Sequence, residues 1–333
     1  MNTVLDLIEA FRRSQVLFAA CQLGVFDAMP AAAPQLAERL QANADAMERL
    51  LDGCAALGLL RKHEGAYENT EVSERYLRSS SPDSLLGYIH YSREALYPMW
   101  GHLADAVREG THRWTQTFGK EASLFHHFFR TDAAMRDFLM GMHGFGMQTS
   151  PKVAEAFDLA RFRTLADLGG ATGHLAIAAC ERYPGLRGVI FDLPRVTPLA
   201  REQAARSGAA ERLEVVAGDF FEDPLPPADL YAVGRILHDW SEDRIARLLA
   251  KIYGALPDGG ALLVAEKLLH EDGVGPAGAN LQSLNMLICT EGKERSASQY
   301  TELLRAAGFA EIEARRTGVY LDAILAVKRT IEP

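Results

Sequence analysis

The run Gly234-Arg235-Ile236-Leu237-His238-Asp239-Trp240 sets an imidazole just past a short apolar stretch, where a strand would end at the mouth of a cleft. Histidine has an unperturbed pKa of about 6.5, so His238 can accept a proton from a hydroxyl near neutral pH. A histidine here could equally cap or pack a loop. Two acids weigh against that reading: Glu266 closes a later apolar run, and Glu294 follows the turn Glu291-Gly292-Lys293. Either carboxylate could fix the imidazole tautomer as the acid of a catalytic triad does. Glu291 reads as a solvated surface residue, and Ser241 as the N-cap of the helix that follows.

A second group of residues has the composition of a nucleotide site. Asp167-Leu168-Gly169-Gly170-Ala171-Thr172-Gly173 follows an apolar run, the usual handover from strand to helix around an adenosine. A dinucleotide loop needs G-x-G-x-x-G to bring backbone N–H groups to a pyrophosphate. Here Leu168 occupies the first glycine position, and Asp167 would repel phosphate while suiting a sulfonium or an amino-acid tail. The loop therefore favours S-adenosylmethionine (SAM) over NAD. Asp192, in Phe191-Asp192-Leu193-Pro194, comes about twenty residues later, where a ribose diol finds its acceptor. Asp219, in Gly218-Asp219-Phe220-Phe221, can accept from an adenine amino group while an aromatic ring covers the base. Any one of these acids alone would read as a turn residue or helix cap; three at successive strand ends read as a pocket. Ala171 fits the loop if its φ is negative.

These residues need a scaffold, and the sequence period supplies one. Up to about residue 160 the apolar positions recur at helical spacing, as in Leu36, Leu40, Met47, Leu50, Leu51 and Leu57. Two short helices through residues 34–57, then a hairpin from Leu59–Lys62 and Ala66–Asn69, outline a winged helix. From about 164 apolar strands alternate with helices, the pattern of a parallel sheet covered on both faces. The expected strands are Thr164–Leu168, Gly188–Phe191, Leu213–Ala217, Leu230–Gly234, Ala261–Glu266, Glu311–Arg316 and Asp322–Val327. The fold class is thus α/β, with residues 1–160 a helical, winged-helix region and residues 161–333 a Rossmann-like domain.

Composition narrows the function. The 333 residues are 48% hydrophobic with a net charge of −9, which gives no general attraction to nucleic acid or anionic membrane. The winged helix invites a DNA-binding alternative, but residues 30–76 carry Arg39, Arg49, Arg61, Lys62 and Arg75 against eight acids, three of them (Asp45, Glu48, Asp52) on the would-be recognition helix. Phosphate would be repelled. Cys21, Cys54, Cys180 and Cys289 lack C-x-x-C spacing, so neither a metal site nor a disulfide framework is expected. The N-terminus lacks a basic leader and no apolar run reaches membrane-spanning length, so a cytoplasmic protein without membrane contact is expected.

Read together, Asp-Leu-Gly-Gly-x-x-Gly at 167, Phe-Asp-Leu-Pro at 191, Gly-Asp-Phe-Phe at 218, Arg-Ile-Leu-His-Asp-Trp at 235 and Gly-Lys-Glu-Arg at 292 resemble the SAM-dependent small-molecule O-methyltransferases of the caffeate and hydroxyindole type. Ser14–Cys21, Gly101–Gly110 and Ser283–Leu287 are similar to the hydroxyindole members in particular. The likeness covers nearly the whole chain. It implies an N-terminal region that dimerises with a second copy and contributes a substrate lid, and a C-terminal SAM domain that leaves S-adenosylhomocysteine. It assigns Asp167, Gly169, Gly170, Gly173, Asp192, Leu193, Gly218, Asp219, Phe220 and Arg235 to the cofactor, Arg235 standing where many relatives have lysine. His238 resembles the general base, and Glu266 and Glu294 its flanking acids, with no metal.

The acceptor should be a small aromatic hydroxyl compound in secondary metabolism, such as a phenol, hydroxyindole or phenazine. Trp100, Phe129, Met142, Phe145, Asp239, Asn285 and Met286 are the candidate pocket residues, with Met99, Trp114, Phe118, Phe125, Phe128, Met135, Phe138 and Leu287 as further apolar candidates that serve equally well as core. Met142–Met147 is the segment expected over the cofactor. Nitrogen methylation, SAM binding without transfer and an NAD-dependent oxidoreductase are the enzymatic alternatives.

Overall fold

The structure is a computed structural model that describes residues 3–119, 129 and 131–329. Two compact units divide it: Met1–Ala95 with Met140–Gly144, and Leu96–Leu139 with Phe145–Pro333.

The first unit opens with helix α1 (Thr3–Gln22), followed by strand β1 (Ala31–Ala32), α2 (Ala33–Arg39), α3 (Ala44–Ala56), and the hairpin β2 (Leu60–His63) and β3 (Ala66–Asn69). Pro34 in the first turn of α2 fits a position whose N–H needs no helical partner. Asn43 caps α3 by accepting from the Ala46 N–H at 3.0 Å. Leu36, Met47, Leu51, Leu60 and Tyr67 close a buried core between these elements. The winged-helix outline is thus present, with β1 as a third strand in the order β1-β3-β2. Two alanines ahead of a proline carry no strand signal, which is why β1 was not expected. In the wing, Lys62 lies 2.9 Å from Asp52 and 3.2 Å from Glu48 on α3, and Arg61 lies 3.8 Å from Glu68, so both of its strong cations are paired internally. Helices α4 (Glu71–Tyr76) and α5 (Leu86–Tyr91) complete the unit.

The second unit holds α6 (Tyr97–Trp100), α7 (Leu103–Glu109), α8 (Trp114–Phe118) and most of the long helix α9 (Asp132–Glu155), then the sheet domain. Periodicity and compactness divide the chain at different places. The strands begin at Thr164, yet α6 to α8 cluster with them, because Trp100 Nε1 donates to Asn285 Oδ1 (3.0 Å) and Trp114 Nε1 to the Cys289 carbonyl (2.7 Å).

The sheet strands are β4 (Thr164–Leu168), β5 (Arg187–Asp192), β6 (Leu213–Ala217), β7 (Leu230–Gly234), β8 (Ala261–Glu266), β11 (Glu311–Arg315) and β12 (Asp322–Val327), within a residue of the expected ends. Their order is β11-β12-β8-β7-β4-β5-β6. Strands β4 to β8 are parallel, and β12 and β11 close one edge antiparallel. The central strands β4, β7 and β8 are buried almost throughout, whereas the edge strand β11 alternates. Alternate residues feed two cores, Leu165, Ile190, Leu230 and Leu263 on one face and Ala166, Val189, Tyr231 and Leu262 on the other. The chain turns back from β6 to lay β7 beside β4, so a crevice opens outside the carboxyl ends of β4 and β7, the usual ligand position in open α/β sheets.

Two short strands, β9 (Leu268–Leu269) and β10 (Arg295–Ser296), pair in parallel just beyond β8. With Arg295 opposite Leu268, this pairing puts Glu294 in line with Lys267, one residue past Glu266, and so brings the two glutamates near each other across a sequence gap that no periodicity records. Among the described residues, no helix is long and apolar enough to cross a membrane.

Candidate active site

On the β4–β5–β6 side, the loop after β4 is held by Phe191, whose carbonyl accepts from Gly169 N (2.8 Å) and Gly170 N (3.4 Å). Gly169 and Gly173 have φ of +67° and +83°. A Cβ at Gly169 would stand 2.6 Å from Ile236 Cδ1, so this glycine is required by its conformation and by the close approach of the β7 turn. Ala171 departs from expectation. Its φ is +51°, not negative, which costs an L-residue about 1–2 kcal/mol. The bend aims its N–H at Asp192 Oδ2, 2.7 Å away.

Asp192 accepts from Leu193 N with its other oxygen at 2.7 Å, so each oxygen keeps a lone pair for a further donor such as a ribose hydroxyl. Gly218 N donates to the Asp192 carbonyl (3.0 Å), which ties the β6 end to the β5 end. Asp219 accepts from Phe221 N at 2.8 Å, and Phe220 packs on Phe221 with ring centroids 4.8 Å apart. Asp167 is buried beneath the loop and accepts from Ala176 N in helix α10 (His174–Arg182) at 3.3 Å.

Burial, with the neighbouring Asp192 charge, pushes the Asp167 carboxyl up to about 7. Burial, with Asp219 nearby, pushes Asp192 to about 6. None of the three carboxylates forms an ion pair among the described residues. A pocket edged by uncompensated acids disfavours a pyrophosphate and suits a cationic ligand with hydroxyls to donate, and the sulfonium, ammonium and ribose of SAM fit that donor set.

Across the crevice the β7 turn carries His238, and the three predicted groups come together. His238 Nδ1 lies 2.7 Å from Glu294 Oε1 and 3.2 Å from Glu266 Oε2, and all three side chains are buried. Glu266 is fixed by its other oxygen, which accepts from the backbone N–H groups of Ile236 (3.0 Å), Leu237 (2.8 Å) and His238 (3.4 Å). The two glutamates make Nδ1 the donor, and Nε2, on the other edge of the ring, lies 3.6 Å from Asp239 Oδ1. Gly292 makes the approach of the Glu294 loop possible, since a Cβ there would stand 2.1 Å from the His238 carbonyl.

Burial alone would lower the His238 pKa, but the charges of Glu266, Glu294 and Asp239 override it and raise it to about 9. Burial raises Glu266 to about 7 despite the imidazole beside it, and raises Asp239 as well. Arg235 enters this turn with φ +58°, its N–H donating to the Ala265 carbonyl at 3.0 Å and its guanidinium 4.8 Å from the Phe145 ring centroid. The strain of a non-glycine residue in this conformation sits at the site itself.

Ser241 does not cap the helix Glu242–Ala255 with its side chain; its hydroxyl donates to Glu291 Oε1 at 3.2 Å. Glu291, read as surface, is exposed yet anchors that turn. Among the pocket candidates, Trp100 and Asn285 are bonded to each other, and Phe145 stacks near Tyr320 with centroids 5.5 Å apart. Met286 is buried, Phe129 lies near Arg195, and Met142 belongs to the first unit. Met99, Trp114 and Met135 are core residues. Phe125 and Phe128 lie outside the described residues.

Residues 100–310 match the O-methyltransferase domain, and residues 5–79 match the O-methyltransferase dimerisation domain. The chain belongs to the O-methyltransferase family. It is 43% identical to the acetylserotonin O-methyltransferase of Gallus gallus over 328 residues, covering 96% of this chain and 94% of that one. The crystal structure of human N-acetylserotonin methyltransferase in complex with SAM superposes with a TM-score of 0.92 at 42% identity, over 98% of this chain and 97% of that one.

A human protein described as a probable bifunctional dTTP/UTP pyrophosphatase/methyltransferase is 42% identical over 331 residues, but this methyltransferase spans only about half (53%) of its length. The chain is thus a SAM-dependent O-methyltransferase with a Rossmann-like catalytic fold and a helical dimerisation domain.

Sequence reasoning missed Lys267, which directly follows Glu266. Its Nζ stands 5.2 Å from the Tyr320 ring centroid and 5.9 Å from that of Phe145. A lysine after a strand is a routine surface residue in sequence, and only tertiary structure brings two rings beside it.

Proposed function

We propose that the enzyme methylates a hydroxyl of a small aromatic acceptor, with His238 as general base and Glu266 and Glu294 as the acids that orient it. The observation that carries this reading is the pairing of His238 Nδ1 with two buried carboxylates at the carboxyl edge of the sheet. Holding the Nδ1 proton on that side leaves Nε2 to take the acceptor's proton. SAM supplies the electrophilic methyl group when bound. Asp192 is assigned to the ribose, Asp219 and Phe220 to the adenine, and the Gly169–Gly173 loop to the methionine end, with Asp167 contributing negative charge from below.

Alignment of hydroxyl and methyl is worth up to about 7–11 kcal/mol of barrier, and proton removal a further factor of about 10² to 10⁴. Trp100, Asn285 and Phe145 are the pocket residues best supported by contacts in the second unit. We assign residues 1–160 to dimerisation and acceptor closure and 161–333 to catalysis. A second copy of the chain is the expected partner. Exposed Val4, Leu5, Leu7, Ile8 and Phe11 on α1 support this, since apolar residues grouped on one helix need a cover. Four buried free thiols suit a reducing cytoplasm, and methylated small aromatics suit secondary metabolism.

The test is transfer of labelled methyl from SAM to a panel of phenols, hydroxyindoles, flavonoids and phenazines, with the product located by mass spectrometry. An O-methyl product that disappears in His238→Ala is expected. Transfer to nitrogen alone, or undiminished transfer in the variant, would overturn the assignment.

A further inference from the structure

Lys267 is a half-buried ammonium without a carboxylate partner among the described residues. Its nearest polar contact is Gln282 Oε1 at 3.4 Å, too long to replace the water it has lost. The rings of Tyr320 and Phe145 lie to one side of it, and burial, with Arg235 nearby, pushes its pKa down to about 8 against the opposing charge of Glu294. Glu294 is already engaged by His238 at 2.7 Å, so Lys267 has no carboxylate of its own, and a desolvated cation retained at a cavity mouth marks a place where a counter-charge arrives with a ligand.

Such a cavity is present. About 280 Å³ of space is lined by Lys267, Pro276, Ala279, Val319, Tyr320 and Asp322. Asp322 does not supply the missing charge, since it accepts from Arg316 Nη1 (2.6 Å) and from the backbone N–H groups of Leu268 (3.4 Å) and Thr317 (3.1 Å). Helix α13 (Ala277–Cys289) begins at this cavity with no side-chain cap and no acid in its first turn, so its positive end adds to the field of Lys267.

The cavity adjoins the acceptor residues by one helical turn. Gln282, which touches Lys267, and Asn285, which holds Trp100, are three apart on α13 and therefore share a face, about 4.5 Å apart along the axis. Phe145 makes the same connection from α9, its ring centroid 4.8 Å from the Arg235 guanidinium and 5.9 Å from Lys267 Nζ.

We propose that Lys267 binds a carboxylate carried on a short side arm of the aromatic acceptor, so that this enzyme's acceptors are hydroxyaryl acids. The proposal rests on the acceptor reading above and narrows it. It is tested by calorimetric titration of the S-adenosylhomocysteine-loaded enzyme with 3-(4-hydroxyphenyl)propionate, its methyl ester and sodium acetate. The wild-type enzyme should bind the acid at least tenfold more tightly than the ester and far more tightly than acetate. Lys267→Met, which keeps an unbranched stem beside the rings, should lose that preference while binding the ester as before, and Lys267→Arg should keep it. Because an unpaired buried charge is removed, Lys267→Met should also melt no lower than the wild type, whereas a structural lysine would leave a less stable protein.

Equal binding of acid and ester by the wild type, binding of acetate as tight as that of the aryl acid, absence of binding, or a preference that survives Lys267→Met would each overturn it. Binding is read without turnover. A failure of the His238 chemistry would abolish methyl transfer to acid and ester alike and leave the Lys267 effect in place.

Discussion

The two sides of the crevice are built from the same residue type in opposite electrostatic states. Around β4, β5 and β6, Asp167, Asp192 and Asp219 stand close together without an ion pair among the described residues, each held by backbone N–H groups. Around β7 and β8, Glu266 and Glu294 face an imidazole at 3.2 and 2.7 Å. The first side is short of positive charge, and the second carries an imidazole beside its acids. Under the proposed reading the cationic cofactor completes the first side and the second moves the proton, so substitutions on the two sides should separate affinity from rate.

The largest effect should come from the side that moves a proton. His238→Gln keeps the size and a donor of the side chain but removes the base, so kcat should fall by about 10² to 10⁴. SAM affinity, measured by calorimetry, should stay within about twofold, because nothing on the β4–β5–β6 side is touched. A variant with wild-type kcat would remove His238 from the reaction and leave alignment as the whole of catalysis.

The converse substitution is Asp192→Ala. Hydrogen bonds to a charged acceptor contribute about 1.5–3 kcal/mol, so SAM should bind about 10 to 100 times more weakly, while kcat at saturating SAM changes much less. The Ala171 N–H also loses its acceptor, and a modest fall in melting temperature should accompany the change. If kcat fell as steeply as affinity, the two sides would not be separable.

A third measurement tests whether the acids on the base side set the proton affinity of His238. Its pKa is raised to about 9 by Glu266, Glu294 and Asp239, so below that pH the imidazole is mostly protonated and kcat/KM should rise with pH toward about 9. Glu294 contributes to this both by charge and by its hydrogen bond. In Glu294→Gln the limb should move to lower pH, and the plateau should drop because the imidazolium formed during reaction loses its nearest carboxylate. An unmoved limb would assign the titration to another group, the acceptor's own hydroxyl being the first to check.

The comparison also explains what the sequence made readable. On the proposed cofactor side each carboxylate lies at or near the end of its own strand, so Asp167, Asp192 and Asp219 could be named from short motifs and strand ends, although the Ala171 N–H that holds Asp192 comes from 21 residues away. The strands themselves were legible because β4, β7 and β8 are continuous apolar runs of the kind that only a sheet buried on both faces produces. On the base side His238, Glu266 and Glu294 could be named, but not their distances, which depend on the β9–β10 pairing and on the space left by Gly292. Lys267 was invisible for a related reason: what singles it out is the lack of an ion-paired carboxylate among the described residues, and a sequence does not record which lysines find one. The Ser241–Glu291 bond shows the same limit on a smaller scale, since an N-cap motif competes with a tertiary acceptor that only folding supplies.

The smallest effect isolates backbone conformation, the one property of the cofactor loop that residue types alone misreported. Ala171 sits at φ +51°, where an L-residue is strained by about 1–2 kcal/mol and glycine is not. Replacing it with glycine removes that strain but adds about 0.5–1 kcal/mol of chain entropy to be lost on folding. The difference leaves Ala171→Gly between neutral and about 1.5 kcal/mol more stable, a rise of at most a few degrees in melting temperature. The Ala171 N–H and its bond to Asp192 are retained, so SAM affinity should hold or weaken slightly as the loop gains freedom. A clear loss of stability would mean that the methyl group contributes packing greater than the strain it causes, and the positive φ would then have to be enforced by the Asp192 bond rather than merely tolerated.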